Sequence, residues 1–303
     1  MKPLEAMLHV AIAALLPPLL LGAIIKVKAL FAGRVGPPVL QAYRDIWKLL
    51  RKGSVFSATT TWVFRAGPVV NLAAVLLATL VMPLGSPGAP LSFTGDAVLF
   101  AYLLALGRFF TIAAALDTGS SFEGMGAARE ATFSALAEPG LFLGLLVLAR
   151  KSGSASLAQM LGPHLSQAWS DSGGALMLVV VSFFVVLLVE NSRIPFDDPN
   201  THLELTMIHE VMVLDHSGPA FGMILYGSAV KLFLLGSLIV RLLIPVSTGS
   251  PWLDWLFFSA ASLALAGLVA VVESTMARLR LLHVPRLLVT ASIISVFAII
   301  LSR

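Results

Sequence analysis

The chain has 303 residues, of which 58% are hydrophobic and only 12% are charged, and its mean hydropathy is +0.93. A soluble globule of this length needs more polar surface than this composition supplies, so lipid surrounds most of the chain. Cysteine is absent. This excludes disulfides, thiolate-bound zinc and iron–sulfur clusters held by cysteines of this chain. Any electron transfer linked to this chain is therefore expected to take place in a partner protein.

Eight apolar stretches are long enough to cross a bilayer, which takes about 20 residues of helix. They lie at roughly 7–25, 67–84, 96–116, 131–149, 172–190, 219–245, 251–272 and 286–302. We predict an all-α, polytopic protein with about eight transmembrane helices, forming a single integral membrane domain over residues 1–303. No small-residue cleavage site follows Pro17 and Pro18 in the first stretch, so this stretch is predicted to be a retained helix and not a secretory signal.

Basic residues are divided unevenly between the two sides of the predicted bundle. When the loops are assigned alternately, one side receives most of them, including Lys26, Arg44 and Arg51. By the positive-inside rule this side faces the cytoplasm, so both termini are expected on the non-cytoplasmic side. The same distribution accounts for the net charge of +4 without a nucleic-acid partner.

Residues 39–52 are predicted to form an amphipathic helix lying in the membrane interface. Tyr43 and Trp47 fall on an apolar face, whereas Arg44 and Lys48 fall on the opposite face. Two interpretations remain open. The helix is either a simple anchor to anionic lipid, or a platform beside a docking surface or a hydrophobic-substrate entrance.

Few ionisable residues fall within the predicted spans, where a charge costs several kcal/mol unless it is paired or hydrated. Arg108 lies in the third span, Glu138 in the fourth and Lys231 in the sixth. A structural ion pair and a functional role are both open for Arg108, whereas a functional role is favoured for Glu138. Glu130 and Glu190 lie at cytoplasmic span ends, where a solvated carboxylate remains an equal alternative.

The predicted loop over about 190–218 concentrates acids and histidines. Apolar residues between Leu203 and Leu214 are expected to bury one side of it. A buried acidic cluster has raised and coupled pKa values, which a proton relay near neutral pH needs. The histidines recur every seven residues, a spacing too long for helical ligands of one metal, so they are either solvated or proton-accepting. The titratable residues include Asp197, Asp198, His202, Glu204, His209, Asp215 and His216.

The unusual residues gather in four segments predicted to face the cytoplasm, at 26–65, 117–130, 190–218 and 273–286. Motifs in these segments and in the fourth span match a known family. They are Arg34-Val-Gly-Pro37 followed by Gln41, Asp45 and Lys48; Leu116-Asp-Thr-Gly-Ser-Ser-Phe122 running on to Glu130; Glu138-Pro139; Glu190 through Arg193 to Asp197; and Glu273-Ser-Thr-Met-Ala-Arg-Leu-Arg280. The chain resembles subunit 1 of complex I, the NADH-quinone oxidoreductase. It more closely resembles the counterpart in membrane-bound nickel-iron hydrogenases of the formate hydrogenlyase and hydrogenase-4 group, which the 116–122 and 273–280 motifs favour.

This resemblance implies a membrane anchor and proton-pathway subunit of a complex I-like, energy-converting respiratory complex in a bacterial or archaeal inner membrane. The implied partners are hydrophilic hydrogenase-like large and small subunits, antiporter-like membrane subunits and the lipid bilayer. The nickel-iron centre and iron–sulfur clusters would belong to those partners. The chain would be one subunit of an oxidoreductase complex, with no catalytic residue, no metal site and no redox cofactor of its own. Two alternatives stay open: the quinone-site subunit of a proton-pumping NADH-quinone oxidoreductase, with quinone as a ligand, and a stand-alone ion transporter.

The resemblance and the buried charges together select two groups of site residues. The predicted proton pathway comprises Arg108, Glu130, Glu138, Glu190, Asp197, Asp198, His202, Glu204, Asp215 and Lys231. The predicted docking or quinone-like site comprises Arg34, Gln41, Asp45, Lys48 and Arg193. Asn200 and His202 stand where the family often has Glu, so the acid pattern of this loop is altered.

Overall fold

A computed structural model describes residues 3–85, 88–197, 207–245 and 248–302. Within these ranges the chain is helical and contains no strand. The helices are α1 (Pro3–Phe31), α2 (Gln41–Leu50), α3 (Trp62–Val81), α4 (Asp96–Asp117), α5 (Ser121–Ser152), α6 (Leu157–Met160), α7 (Leu165–Glu190), α8 (Gly218–Leu243), α9 (Pro251–Thr275) and α10 (Val284–Leu301). Among the described residues, eight helices are long and apolar enough to span a membrane, which confirms the predicted architecture.

Helices α5 and α7 begin furthest ahead of their predicted apolar stretches. Helix α5 starts at Ser121 and not near residue 131, because its first turns are polar but still helical. Helix α7 starts at Leu165, and the predicted start at Ser172 coincides with a break where φ is −147° and ψ is 41°. Hydropathy detects the lipid-facing part of a helix and misses turns that extend beyond it. The longer α5 places Glu130 inside a helix and not at its end.

Close helix packing depends on small residues at the crossings. Helix α3 packs along α4 and α8, α10 packs against α5 and α7, and α1 packs against α8 and α9. At Gly67 of α3, an added Cβ would lie 2.7 Å from the Cβ of Ala114 on α4. Such contacts allow backbones to approach where lipid supplies no hydrophobic driving force between helices.

Pro18 of α1 releases a backbone carbonyl that another helix uses. Proline has no N–H, so Pro18 cannot bond the carbonyl of Ala14. The Tyr226 hydroxyl of α8 donates to that carbonyl at 2.9 Å, and the Tyr43 hydroxyl of α2 donates to the adjacent carbonyl of Leu15. These bonds attach α2 and α8 to the middle of α1.

The amphipathic helix predicted over 39–52 is observed as α2. Tyr43 and Ile46 are partly buried against the bundle, whereas Trp47 is 58% exposed and Leu50 is 45% exposed. The guanidinium of Arg51 lies over the Trp47 ring, 4.4 Å from its centroid. Protein therefore covers only part of the apolar face, a pattern typical of a helix at a membrane interface.

Candidate functional site: an ionic cluster beside a chamber

Four charged side chains from four helices meet inside the bundle; we call them the ionic cluster. Arg108 of α4 donates through Nη1 to Glu190 Oε1 of α7 at 2.5 Å, and through Nη2 to Glu138 Oε1 of α5. Lys231 Nζ of α8 lies 2.7 Å from Glu190 Oε2. The predicted intramembrane charges are thus brought together, and Glu190 joins them.

Pairing is what makes these charges tolerable at this depth. The planar fork of an arginine can hold two carboxylates at once, and Arg108 does so. The Glu190 side chain is only 6% exposed, so its carboxylate must be compensated by the two cations beside it. The alternative that Glu190 is a solvated span-end residue is therefore wrong. The same holds for Glu130, which is 7% exposed.

A polar cavity of ≈ 60 Å³ borders the ionic cluster. Its lining includes Glu130, Asn71 of α3, Ser228 of α8 and His209, which precedes a short 3-10 turn. One water needs about 10–15 Å³ of such space, so the cavity has room for about four. Polar walls of this kind stabilise bound water, and hydration gives protons a medium through which to move between side chains. No sequence pattern pointed to Asn71, since a lone amide in an apolar span has no partner identifiable in advance.

A second, larger cavity of ≈ 720 Å³, which we call the chamber, lies between α1, α8 and the segment after α7. Lys28, Arg34, Arg193, Asp197 and Glu210 give it charged walls. Its remaining wall is apolar and is formed by Leu21, Ile24, Ile25 and Leu225. The chamber and the polar cavity share the lining residues Asn191, Ser192, His209 and Ser228, so they adjoin.

A third cavity, of ≈ 40 Å³, connects the ionic cluster to the lateral surface and is called the flank pocket. It is lined by Arg108, Glu138 and Glu190 on the inside and by Tyr102 and Phe142 towards the surface. The Glu138 side chain is 41% exposed, whereas that of Arg108 is 10% exposed. Glu138 is therefore the cluster member that reaches the outer surface between α4 and α5.

The 273–280 motif holds the beginning of the segment that follows α7. Glu273 pairs with Lys28 at 2.7 Å and with Arg193 at 3.4 Å, and its side chain is fully buried. Arg278 pairs with Asp197 at 3.1 Å. These bonds fix the chamber wall through contacts between α1, α9 and the segment. The sequence singled out this motif but could not assign Glu273 to Lys28, because the two are 245 positions apart.

The region of the 116–122 motif holds the end of the same segment. Glu123 of α5 is 1% exposed and accepts a bond from the backbone N–H of Asp215 at 3.0 Å. Arg129 donates to the carbonyl of Met207 at 2.9 Å. Asp117 accepts bonds from the backbone N–H groups of Thr61 at 2.7 Å and Phe64 at 3.2 Å, which caps α3. The 116–122 and 273–280 motifs, which favour the hydrogenase group, therefore lie outside the ionic cluster. Their regions hold in place the helices and the loop segment that surround the site.

Asp197 and Asp215 have different surroundings, although both were predicted in one acidic cluster. Asp197 is 1% exposed and accepts bonds from the backbone N–H groups of Ile208 at 2.9 Å and His209 at 3.2 Å. Asp215 is exposed and lines none of the three cavities, so its assignment to a buried cluster is wrong. The reason is that the turn before α8 directs its backbone inward, towards Glu123, while its side chain remains outside.

The other predicted site residues are partly accounted for. Asp198, His202 and Glu204, and the altered position Asn200, lie outside the described residues. Gln41 donates to Asp45 at 2.8 Å on the outward face of α2, where Asp45 and Lys48 are exposed. The predicted docking residues thus occupy two places: the chamber wall, with Arg34 and Arg193, and the exposed face of α2.

The two described histidines of the 190–218 loop differ in environment. The His216 ring stacks on Phe64 with centroids 4.0 Å apart, and burial lowers the pKa of His216 to about 4. The His209 ring lies at the wall common to chamber and polar cavity, 3.5 Å from the Ser228 hydroxyl. Burial also lowers the pKa of His209, while the adjacent Glu210 carboxylate raises it. Across the described residues, no three histidine, aspartate or glutamate side chains form a metal-binding group.

Comparison with known proteins places the chain in a family. A family profile described as NADH dehydrogenase matches residues 4–302. Formate hydrogenlyase subunit 4 of Escherichia coli (strain K12) is 35% identical over 282 residues, covering 89% of each chain. Hydrogenase-4 component C of the same organism is 32% identical over 279 residues, covering 92% of this chain and 84% of that protein. NADH-ubiquinone oxidoreductase chain 1 of Triticum aestivum is 30% identical over 264 residues, covering 80% of each protein.

The fold is also found in a solved respiratory complex. A chain of the membrane-bound sulfane sulfur reductase, an archaeal respiratory membrane complex, superimposes with a TM-score of 0.84 over 99% of both chains at 23% identity. At this identity the likeness concerns the fold. The family profile and the relatives, which match nearly the whole sequence, show that this integral membrane protein belongs to the NADH dehydrogenase family, whose members are similar to complex I subunit 1.

Proposed function

We propose that this chain anchors a hydrophilic electron-transfer arm to the membrane and forms the entrance of a proton pathway in a complex I-like, energy-converting complex. The observation that carries the proposal is the sequence of adjoining spaces. The chamber adjoins the polar cavity, the polar cavity borders the ionic cluster, and the flank pocket leads from the cluster to the lateral surface. Titratable groups line this route along its whole length.

The ionic cluster is suited to respond to a charge change in the chamber. In a low-dielectric interior, a unit charge a few ångströms away is worth several kcal/mol. Arg108 pairs with both Glu138 and Glu190. Protonation of either carboxylate weakens its ion pair with the guanidinium, which can then interact more strongly with the other carboxylate. Electron transfer in a docked arm would change the chamber's electrostatic potential and thereby the proton occupancy of these two acids.

We infer the partner subunits from the complexes to which the similar proteins belong. Formate hydrogenlyase and hydrogenase-4 point to hydrophilic large and small hydrogenase-like subunits, with the nickel-iron centre and iron–sulfur clusters in those partners. The chamber mouth, with Arg34 and Arg193, and the outward face of α2 would form the docking face. This face would be cytoplasmic and both termini non-cytoplasmic, as the distribution of basic residues predicts.

A second membrane subunit of antiporter type would cover the flank pocket. Glu138 lies near the middle of α5, and its partly exposed carboxylate would otherwise face hydrocarbon at a cost of several kcal/mol. Tyr102 and Phe142 beside it are 64% and 40% exposed, which provides an apolar contact surface around the charge. A polar group of the neighbouring subunit would then receive the proton from Glu138.

The test is the Glu138→Gln variant in the purified complex, reconstituted into liposomes and driven by reduced methyl viologen. We expect at least a tenfold loss of proton translocation with normal subunit composition, because glutamine keeps the size of the side chain but cannot be ionised. Asp171→Asn is the matched control, since Asp171 is an exposed acid of α7 that lines none of the three cavities. Wild-type translocation in Glu138→Gln would refute the proposed function.

A quinone-site subunit is the second candidate, and the chamber favours it. A volume of ≈ 720 Å³ with one apolar wall and several polar groups is within the range of small-molecule sites. Gentle purification, mass spectrometry of the companion subunits, lipid extraction and a nickel assay distinguish the candidates. Nickel with a hydrogenase-type large subunit supports the first candidate, whereas bound quinone and inhibition by a quinone-site inhibitor support the second.

A further inference from the structure

One histidine occupies the boundary between the chamber and the interior of the bundle. His209 lines both the chamber and the polar cavity. Its position is fixed by the backbone, because its N–H and that of Ile208 both donate to the buried carboxylate of Asp197. Asp197 is in turn paired with Arg278. The ring is therefore held at the junction by groups outside the ionic cluster.

The two ring nitrogens have different surroundings. Nε2 lies 3.5 Å from the hydroxyl oxygen of Ser228, a residue that also lines both spaces. Nδ1 has no hydrogen-bonding partner among the residues that the structure describes. An imidazole with one nitrogen bonded to a hydroxyl and the other unengaged can accept a proton on one side and release one on the other.

We propose that His209 transfers protons between the chamber and the ionic cluster. The proposal rests on the proposed function and adds the residue at which the proton leaves the chamber. One ring nitrogen accepts a proton from water in the chamber. The other nitrogen then releases its proton to water in the polar cavity, either directly or through the Ser228 hydroxyl, which passes its own proton to that water as it accepts the new one. The ring is then neutral as the other tautomer, and a flip of the ring restores the first tautomer for the next transfer. Glu130 and Glu190 line the same cavity and are the acceptors within reach of that water.

The charges around His209 suit a transient carrier. Asp197 and Glu210 favour the protonated ring, whereas Arg193, Lys231 and burial disfavour it. The net effect is a lowered pKa, so the imidazole is neutral at pH 7 and holds the proton only in passing. A permanently charged group here would repel the next proton and stop the transfer.

His216 shows that position, and not residue type, distinguishes His209. It belongs to the same loop and is seven residues further along. Its ring, however, is stacked on Phe64 and lines neither the chamber nor the polar cavity. The 3-10 turn Glu210–Val213 lies between the two residues. Before it, His209 lines the two cavities, and after it, His216 packs on Phe64. His216 is therefore the matched control for His209.

The experiment compares His209→Gln, His209→Ala and the corresponding His216 variants in the intact complex reconstituted into liposomes. Reduced methyl viologen supplies electrons, a pH-sensitive dye reports proton translocation, and subunit composition is checked for each preparation. We expect His209→Gln to lower translocation at least tenfold, since glutamine can still hydrogen-bond Ser228 but cannot carry a proton. Imidazole at millimolar concentration should restore at least half of the rate in His209→Ala and should not change that of His216→Ala.

Three outcomes overturn the assignment. Wild-type translocation in His209→Gln overturns it while Glu138→Gln remains impaired, which leaves the proposed function standing. Equal losses in the His209→Gln and His216→Gln variants, with no imidazole rescue, overturn it in favour of a general loosening of the loop. Wild-type translocation in both Glu138→Gln and His209→Gln overturns this inference together with the proposed function.

Discussion

The half of the bundle near the chamber and the half away from it use buried charges in different ways. Near the chamber, Glu190 pairs with both Arg108 and Lys231, and all three side chains border the polar cavity. In the far half, Asp96 accepts bonds from the backbone N–H of Leu157 at 2.6 Å and from the Ser156 hydroxyl at 2.9 Å. Both arrangements compensate a buried carboxylate, but with different partners.

Other buried charges in the half away from the chamber also bind backbone groups. Asp254 accepts a bond from the backbone N–H of Thr248 at 2.8 Å, and the buried Arg241 donates to the carbonyl of Leu161 at 3.1 Å. A bond to a backbone group closes a turn or joins two segments and has no second arrangement available. A pair of titratable side chains beside a polar cavity can exchange protons and partners. The comparison therefore separates structural charges from functional ones by what they bind.

Glu190→Gln should produce the largest effect of any substitution that tests this difference. It removes the carboxylate that compensates Arg108 and Lys231, and breaking a buried ion pair costs about 3–5 kcal/mol. We expect a lower thermal unfolding midpoint in detergent and at least a tenfold loss of proton translocation in liposomes. In Glu190→Gln/Lys231→Met the midpoint should partly recover, because the uncompensated lysine is gone, but translocation should not. A double variant that translocates protons would show that the cluster is only structural.

Asp96→Ala should have an intermediate effect, on stability alone. It leaves the backbone N–H of Leu157 and the Ser156 hydroxyl without their buried acceptor, which costs about 3 kcal/mol. We expect a lower unfolding midpoint and an unchanged number of protons translocated per electron in the complexes that assemble. A changed ratio would mean that the far half also takes part in coupling, and the division between the halves would fail.

His216→Phe should have the smallest effect, and only at acidic pH. The folded-state pKa of His216 is about 4 and the unfolded value is about 6.5, so the unfolded chain binds more protons between these values. Stability is therefore full above pH 6.5 and falls as the pH drops, by about 2 kcal/mol between pH 7 and pH 5. Phenylalanine keeps the stacking on Phe64 and removes the titration. Unfolding midpoints measured at both pH values should therefore differ less in the variant, and an equal difference would exclude His216 as the cause.

Much of the fold follows from composition, because a stretch of about 20 apolar residues in lipid must satisfy its backbone hydrogen bonds internally and therefore forms a helix. The eight spans and the amphipathic helix were predictable for this reason. Helix ends were less predictable, as the polar first turns of α5 show. The intramembrane charges Arg108, Glu138 and Lys231 were also conspicuous, since charged residues are rare in spans.

The pairings within the site could not be predicted from a single sequence. Glu190 pairs with Arg108 across 82 positions, and no local pattern connects the two. The sequence left the histidines of this loop as either solvated or proton-accepting, and it could not separate His209 from His216. The 3-10 turn and the stacking of His216 on Phe64 separate them, and both depend on tertiary packing.

The partly exposed Glu138 has a consequence for how stable the subunit is in the cell before it assembles. A copy of the chain that has not met its neighbour would present a carboxylate to hydrocarbon, and that cost would be removed only on assembly. Its apparent stability would thus depend on the concentration of the neighbouring subunit, as for any protein that is stabilised by a partner. Surplus copies would open more often and be degraded faster, so membrane proteolysis would keep the amount of this subunit matched to that of its partner.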